Sequence, residues 1–454
     1  MKPTAKGCNE YEVITRRGLM GQAGAKALQG IVPAWLPEVT YQQQAKSAGG
    51  GHRRQFGDRD IIVSIYLRGG CDGLTACVPY GDDAYYTHRS SLAVPRPDQT
   101  TNSNRAIDLD GFFGVPQSMQ PMKELYDAGH FLFVHGAGSK DSTRSHFDAQ
   151  QFMEAGKADK GLWTGWLGRH LASTGEMVDG SLLRAIGLSG LLALTLEGGP
   201  KTTALSNLTD LRYGGRGESE AKRIEWLQKA YATGPEILRD AAANAFKTVD
   251  LLKSINYENY VPGGGAVYNQ PQPGGGGIYG SPQAFGESMR ASAAIIRKDV
   301  GVEAIHIDYG DWDTHEGQNN FGDYGHMFMQ LYSLSANLRA FFKDVDSSDL
   351  MRRVIVVVVS EFGRTVQENG SSGTDHGHGN VMMLMGKSVN GGRVMADWPG
   401  LANELLFEGN ALKTTIDYRD ILAEVVQKRL KNDNLDYVFP DPSFTPVMRN
   451  AVRA

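Results

Sequence analysis

Short, β-branched apolar runs alternate with amphipathic segments along most of the chain. The apolar runs lie at residues 61–67, 131–137, 304–310, 354–360 and 381–386. Runs of this length are typical of strands that are buried on both faces of a parallel sheet. Between and after them, apolar residues recur at spacings of three and four, which predicts helices at 116–128, 146–155, 218–231, 234–253, 284–298, 324–344 and 417–430. This alternation predicts an α/β fold with a mostly parallel central sheet flanked by helices.

The chain is long enough to bury a large core, with 454 residues of which 41% are hydrophobic. No repeat of fixed period occurs, so we expect one large α/β domain over residues 59–454. A Gly/Pro-rich stretch at 261–282 lacks hydrophobic periodicity, which predicts a loop that either closes over a site or bridges two helices.

Residues 1–58 have a different character from the rest. Arg16 and Arg17 precede a weakly apolar, Ala/Gly-rich run to Leu36 and then a polar stretch. The pattern predicts a leader for the twin-arginine export machinery and a periplasmic or extracellular location. The alternative is a basic amphipathic first helix, because polar residues interrupt the apolar run. No run of about 18 apolar residues occurs, so no transmembrane span is expected.

Charge and cysteine content bear on the class of function. The formal net charge is −5, so the chain offers no overall basic field for nucleic acid, and we expect no nucleic-acid partner. The three cysteines, Cys8, Cys71 and Cys77, provide neither a disulfide framework nor the paired spacing of a zinc finger.

Polar clusters follow the predicted strands. Ligand sites in parallel sheets lie beyond the carboxyl ends of the strands, so these clusters can converge. Their carboxylates and imidazoles suit zinc, manganese or iron better than calcium. The clusters, in chain order, are Asp72 in "RGGCDGL"; Ser142, Thr143, Arg144, Ser145 and His146; Asp311, Asp313 and His315 in "DWDTHEGQ"; Glu361 and Arg364 in "SEFGRT"; and Asp375, His376 and His378 in "GTDHGHGN".

Each cluster also has a structural interpretation. Asp72 can hold a turn, Ser145 can cap the helix that follows it, and His315 can cap the next helix. Glu361 is different, because a carboxylate at the end of a buried strand is costly unless it is paired or bound to metal.

Several of these stretches resemble the domain-of-unknown-function 1501 family of bacterial proteins, which are usually exported by the twin-arginine route. The resemblance rests on "TRSHFDAQQFMEAG", "GDWDTHEGQ" and "SEFGRTVQENGSSGTDHGHGNVMMLMG", and it extends over about residues 60 to 430. The family is grouped with the alkaline phosphatase and sulfatase superfamily, which implies an alkaline phosphatase-like core with a two-metal hydrolytic site.

The resemblance also implies roles position by position. Asp72 corresponds to the first carboxylate ligand, Asp313 and His315 to a later pair, and His376 or His378 to the last histidine ligand. The nucleophile falls within 142–145. The adjacent Asp and His of the superfamily fall at Ser360, Glu361 and Phe362, so one imidazole is missing there. The formylglycine motif of sulfatases is also absent.

The resulting hypothesis is an exported, metal-dependent hydrolase of small-molecule or polymer-borne phosphate or sulfate esters. It binds one or two divalent ions, with zinc expected ahead of manganese, iron or calcium. Ser145 is preferred as nucleophile because it directly precedes a predicted helix, Arg144 and Arg364 are candidates to bind the substrate oxyanion, and Asp375 is expected to orient a histidine ring. The alternatives are a non-catalytic exported binding or assembly protein and a glycan-modifying enzyme. The predicted ligands are Asp72, Asp313, His315, Glu361, His376 and His378.

Overall fold

A mostly parallel sheet forms the centre of the protein. The computed structural model describes residues 60–175, 181–211, 218–268, 282–321 and 325–453, so the predicted leader at 1–58 lies outside the described residues. Within these ranges, nine strands form the sheet and two more form a small hairpin. The strands are β1 (Ile61–Leu67), β2 (Ile107–Asp108), β3 (Gly114–Val115), β4 (Phe131–Gly138), β5 (Ala185–Leu188), β6 (Thr202–Ala204), β7 (Ala304–Tyr309), β8 (Val354–Ser360), β9 (Asn380–Met385), β10 (Arg393–Ala396) and β11 (Ile416–Asp417).

The strand order explains where a site can form. It is β10-β4-β9-β8-β1-β7-β5-β6, and β11 pairs with the end of β4. Only β9 among these strands runs antiparallel to its neighbours, β4 and β8. The carboxyl ends of β1, β4, β7 and β8 therefore meet the amino end of β9 at one edge of the sheet.

Helices cover both faces of the sheet. Along β1, Val63 and Ile65 belong to one apolar cluster, while Ile62 and Tyr66 belong to another on the opposite face. The strand is therefore buried on both sides, as its continuous apolar composition predicts. The helices are α1 (Gly73–Ala76), α2 (Asp83–His88), α3 (Lys123–Asp127), α4 (His146–Ala155), α5 (Trp166–Ser173), α6 (Glu218–Ala232), α7 (Glu236–Lys253), α8 (Pro282–Lys298), α9 (His326–Asp346), α10 (Tyr418–Lys428) and α11 (Leu435–Val438).

The α/β class and the mostly parallel sheet predicted from the sequence are confirmed. The helix predicted at 116–128 is only partly α-helical, because Pro121 lies in a 3-10 turn that precedes α3. None of the helices in the described ranges combines the length and the apolar composition that crossing a membrane requires.

The described start of the Gly/Pro-rich stretch is anchored to α9. The buried Asp344 carboxylate accepts hydrogen bonds from the hydroxyls of Tyr260 and Tyr268 and from the Gly263 amide. Arg297 pairs with the same carboxylate at 2.9 Å. Residues 260–268 are thus held by a buried charge, while 269–281 lie outside the described residues.

Candidate metal centre

Four side chains converge at the edge of the sheet where the strand ends meet. His146 is the first residue of α4, the helix that follows β4. Asp313 and His315 follow β7, and His376 lies in the connection between β8 and β9. The antiparallel direction of β9 brings that connection back to the same edge. We call His146, Asp313, His315 and His376 the four-residue cluster.

The ligand atoms of the cluster are close together. From Asp313 Oδ1, the distance is 3.1 Å to His315 Nε2, 3.3 Å to His376 Nε2 and 3.5 Å to His146 Nε2. His315 Nε2 and His376 Nε2 are 2.9 Å apart. Tetrahedral bonds of about 2.0–2.1 Å to one ion separate the ligand atoms by about 3.3 Å, so these four distances suit a single small cation. The ligand atoms of His146, Asp313 and His376 all lie within 4.8 Å of one another, a group that does not include His315.

Each histidine of the cluster is fixed by a bond from its other ring nitrogen. The Nδ1 of His146 donates to Glu361 Oε1 at 2.7 Å, and the Nδ1 of His315 donates to Asp375 Oδ1 at 2.9 Å. The Nδ1 of His376 donates to the backbone carbonyl of Arg144 at 2.7 Å. Because all three partners are acceptors, these bonds assign the proton to Nδ1 and direct the Nε2 lone pair at the cluster. Histidine ligands in metal sites are usually oriented in this way.

Arg364 fixes the carboxylate of the cluster. Its buried guanidinium donates to Asp313 Oδ1 at 2.5 Å and to backbone carbonyls. Burial would raise the pKa of Asp313, but hydrogen bonds from the histidines and the charge of Arg364 hold it well below its usual range. The carbonyls that accept from Arg364 are those of Gly69, Gly70, Trp312 and Thr374.

Two further pKa shifts concern His146 and the Glu361 carboxylate that is hydrogen-bonded to it. Burial would lower the pKa of His146, but hydrogen bonds to Asp313 and Glu361 raise it to about 9. Burial would raise the pKa of Glu361, but its hydrogen bond with His146 lowers it to about 2. Both carboxylates are therefore ionised at neutral pH, and in the absence of a metal ion they attract protons to the histidines.

The glycines of "GTDHGHGN" allow close backbone packing. A Cβ at Gly373 would lie 2.3 Å from the carbonyl of His315, and a Cβ at Gly377 would lie 2.4 Å from the carbonyl of Arg364. Real Cβ atoms do not approach so closely, so these positions need glycine for space. The loop that carries His376 is consequently pressed against the segments that carry the other residues of the site.

Asp72 is not brought into the cluster. Its buried carboxylate accepts from both Nη atoms of Arg89, at 2.6 and 2.9 Å, and from Thr75 Oγ1 and Gln318 Nε2. Burial would raise the pKa of Asp72, but Arg89 lowers it. Asp72 therefore lies apart from the cluster: its hydrogen-bond partners include no histidine, whereas Asp313, which also pairs with an arginine, faces three.

Glu361 and His378 also differ from the predicted ligand roles. Glu361 Oε1 accepts from His146, from Gln150 at 2.9 Å and from the Gly69 amide at 2.8 Å, so this oxygen is already occupied by three donors of the protein. His378 contacts Thr414 through Nδ1 and the Asp141 carbonyl through Nε2. His378 therefore makes contacts outside the cluster.

The predicted oxyanion-binding arginines are engaged elsewhere. Arg144 donates to Glu408 and Asn410, each at 2.9 Å, and Arg364 is buried against carbonyls and Asp313. Ser145 precedes α4 and makes no side-chain capping bond. The Ser145 hydroxyl therefore lies next to His146 in sequence and does not cap the helix.

The sequence prediction identified three residues of the cluster and missed the fourth. His146 was considered only as part of the polar cluster after β4. The sequence signal that could have identified His146 is its position as the first residue of a helix at the carboxyl edge of the sheet. Its hydrogen bond to Glu361 could not be predicted, because the two residues are 215 positions apart. Asp375 lies against a histidine ring, as expected.

Comparison with known proteins gives a family but no function. A family model described as "Protein of unknown function (DUF1501)" matches residues 208–435. The matched region includes Asp313, His315 and His376 and begins after His146. No curated protein matches the chain.

Proposed function

The chain belongs to the DUF1501 family of proteins of unknown function, and from the geometry of its four-residue cluster we propose that it is a metalloprotein that binds one divalent transition-metal ion. The observation that carries this proposal is the convergence of three Nε2 atoms on Asp313 Oδ1, at 3.1–3.5 Å. Such a concentration of lone pairs is unfavourable unless a cation or shared protons lie among them.

The donor set fits some metals better than others. Three imidazole nitrogens and one carboxylate oxygen suit zinc, manganese or iron, whereas calcium prefers oxygen ligands throughout. The four measured spacings of 2.9–3.5 Å are close to the ligand separation of a four-coordinate zinc site. His146, Asp313, His315 and His376 would hold the ion, with Glu361, Asp375 and the Arg144 carbonyl orienting the rings.

The arrangement favours one ion over two. Within the described ranges, one group of histidine and acidic ligand atoms is close enough to hold an ion, namely that of His146, Asp313 and His376. His315 adjoins this group through Asp313 and His376. Asp72 is neutralised by Arg89, and Glu361 is bonded to His146. The residues that would hold a second ion are therefore engaged with protein cations and donors.

The reaction class that we propose is hydrolysis of a phosphate or sulfate ester. A divalent ion held by these four side chains would need a fifth coordination position to polarise an ester oxygen or acidify water. The side chain of His315 is 35% exposed, while that of His146 is fully buried, so substrate would approach from the His315 side. The amino end of α4 favours negative charge beside His146, and Ser145 supplies a hydroxyl there.

An alkaline phosphatase-like core, export by the twin-arginine route and a periplasmic or extracellular location remain part of this proposal. They rest on the sequence resemblance and on the pattern of residues 1–58. Small-molecule and polymer-borne esters are both compatible with a site that is exposed on one side.

A second candidate is a non-catalytic protein that uses the same ion for binding or assembly. Arg364 is fully buried and bonded to Asp313 and backbone carbonyls, so it is not available to bind a substrate oxyanion, whereas Arg144 is partly exposed and pairs through Nη2 with the exposed Glu408. Arginine forks are the usual means of holding such groups. The burial of Arg364, which removes one of the two predicted oxyanion-binding arginines, is the observation that supports this second candidate.

One experiment separates the two candidates. The full chain is purified with zinc and manganese present, its metal content is measured, and aryl phosphate and sulfate esters are assayed with and without a chelator. One ion per chain and chelator-sensitive turnover support the hydrolase, whereas one ion without turnover supports the binding protein. A folded protein without metal, or a metal content unchanged in Asp313→Asn, would contradict both.

A further inference from the structure

Gln318 connects the two segments that supply most of the cluster. It is fully buried and lies three positions after His315 in sequence. Its side-chain oxygen accepts from Thr314 Oγ1 at 3.1 Å and from Thr374 Oγ1 at 2.8 Å. Thr314 lies between Asp313 and His315, and Thr374 lies two positions before His376. One amide oxygen therefore joins both segments beside their ligands.

The amide nitrogen of Gln318 is held from the other side. It donates to Asp72 Oδ2 at 2.8 Å and to Asn320 Oδ1 at 3.1 Å. Asp72 is in turn fixed by Arg89 in a pair with no exposed side-chain surface. Both donors and both acceptor sites of the amide are thereby used, which leaves one orientation for the Gln318 side chain.

The backbone strengthens the same connection. The Gln318 amide donates to the Ser372 carbonyl at 2.9 Å, and the Thr374 amide donates to the Thr314 carbonyl at 3.0 Å. Segments 313–318 and 372–376 therefore lie side by side and are joined by both side-chain and main-chain hydrogen bonds. A rotation of either segment would have to break several of these bonds together.

From these contacts we propose that Gln318 is a positioning residue, which sets the distance between the ligands Asp313 and His315 and the ligand His376. Gln318 itself contacts none of the four ligand side chains. It acts through Thr314 and Thr374. This inference rests on the proposed metal site, and it assigns Asp72 and Arg89 the task of orienting the Gln318 amide.

The test compares Gln318→Met with a matched control in the full chain. Methionine keeps the unbranched shape of glutamine and removes its hydrogen bonds. Asn432→Leu is the control, because Asn432 is a buried amide that bonds His170 and Ser173 and none of the residues of the site. We expect Gln318→Met to weaken zinc and cobalt(II) binding about 10–100-fold, the range for partners outside the ligand shell. Asn432→Leu should leave both affinities unchanged.

A spectroscopic measurement distinguishes positioning from stability. The visible absorption of bound cobalt(II) depends on the ligand geometry, so it should change in Gln318→Met and not in Asn432→Leu at equal thermal stability. Thr374→Val, which removes one hydroxyl, should give a smaller change of the same kind. Thr374→Ser, which keeps the hydroxyl, should restore the wild-type spectrum and affinity.

A metal-free measurement separates failure of this inference from failure of the proposed function. In protein without metal, Gln318→Met should speed hydrogen exchange of the Thr374 amide at least about tenfold. If the wild type binds no metal, the proposed function fails, and this exchange rate still tests whether Gln318 joins the segments. Unchanged exchange at Thr374, or a Gln318→Met variant with wild-type cobalt(II) spectrum and affinity, would overturn the inference.

Discussion

His315 Nε2 lies 2.9 Å from His376 Nε2, while the Nδ1 atom of each ring donates to an acceptor of its own. If both rings are neutral, two nitrogen lone pairs face each other at hydrogen-bond distance. A proton shared between the rings or a cation bound by both removes this repulsion. At the proposed metal site, this pair would link metal binding to proton release.

The affinity for metal should fall as the pH is lowered. The pKa of His146 is raised to about 9 and that of His315 is also raised, so below pH 9 an incoming ion must displace protons. Each proton released changes the affinity by about tenfold per pH unit. Calorimetry of zinc binding between pH 6 and 8, in buffers of different ionisation enthalpy, measures the number released. A dissociation constant independent of pH over this range would refute the linkage.

His146 and His378 should respond differently to the same substitution. His146→Gln removes the imidazole Nε2 that faces Asp313. We expect zinc affinity to fall more than about 100-fold, which exceeds the usual effect of removing a residue that only hydrogen-bonds to a ligand. His378→Gln is the control, because His378 contacts Thr414 and the Asp141 carbonyl outside the cluster. Zinc titration of both variants checks the assignment, and equal losses of affinity would contradict it.

Asp72 should affect stability more than metal content. Asp72→Asn leaves Arg89 buried without its counter-ion, which typically costs about 3–5 kcal/mol of unfolding free energy. Because Asp72 is not a ligand, the variant should still bind one ion per chain at saturating zinc. Denaturant unfolding and metal analysis of the same sample measure the two effects. Loss of the ion from a variant of wild-type stability would restore Asp72 as a ligand.

Two glycines of the connection between β8 and β9 provide a matched pair. A Cβ at Gly377 would lie 2.4 Å from the Arg364 carbonyl, whereas a Cβ at Gly370 would meet no atom within 4 Å. Gly377→Ala should therefore displace the backbone next to His376 and lower both the melting temperature and the zinc affinity. Gly370→Ala should leave both unchanged, because surface substitutions usually alter the free energy of unfolding by no more than about 0.5 kcal/mol. Thermal melts of both variants with and without zinc measure these effects. Equal melting temperatures and equal stabilisation by zinc in the two variants would contradict the prediction.

The sequence predicted the central strands because their composition follows directly from burial. In β8, four consecutive valines and their neighbours are buried on both faces, and the predicted bounds 354–360 are those observed. Strands β5, β6 and β10 were not predicted. They have only three or four residues, too few for a periodic pattern to stand out.

The site was less predictable because its roles depend on distant partners. Asp313, His315 and His376 were found because each lies in a polar stretch beside a strand end. Asp72 has the same local appearance, but its partners are Arg89, 17 positions away, and Gln318, 246 positions away, with no histidine among them. A pattern within one loop does not reveal which residue of another loop will neutralise a charge.

X-ray absorption spectroscopy of the zinc-loaded full chain examines the proposed metal site itself. We expect one ion per chain, with nitrogen and oxygen neighbours at about 2.0–2.1 Å and the outer scattering of three imidazole rings. In Asp313→Asn at equal zinc, the bound fraction should fall. A first shell that contains sulfur, a spectrum without imidazole scattering, or a folded protein that takes up no ion would contradict the account.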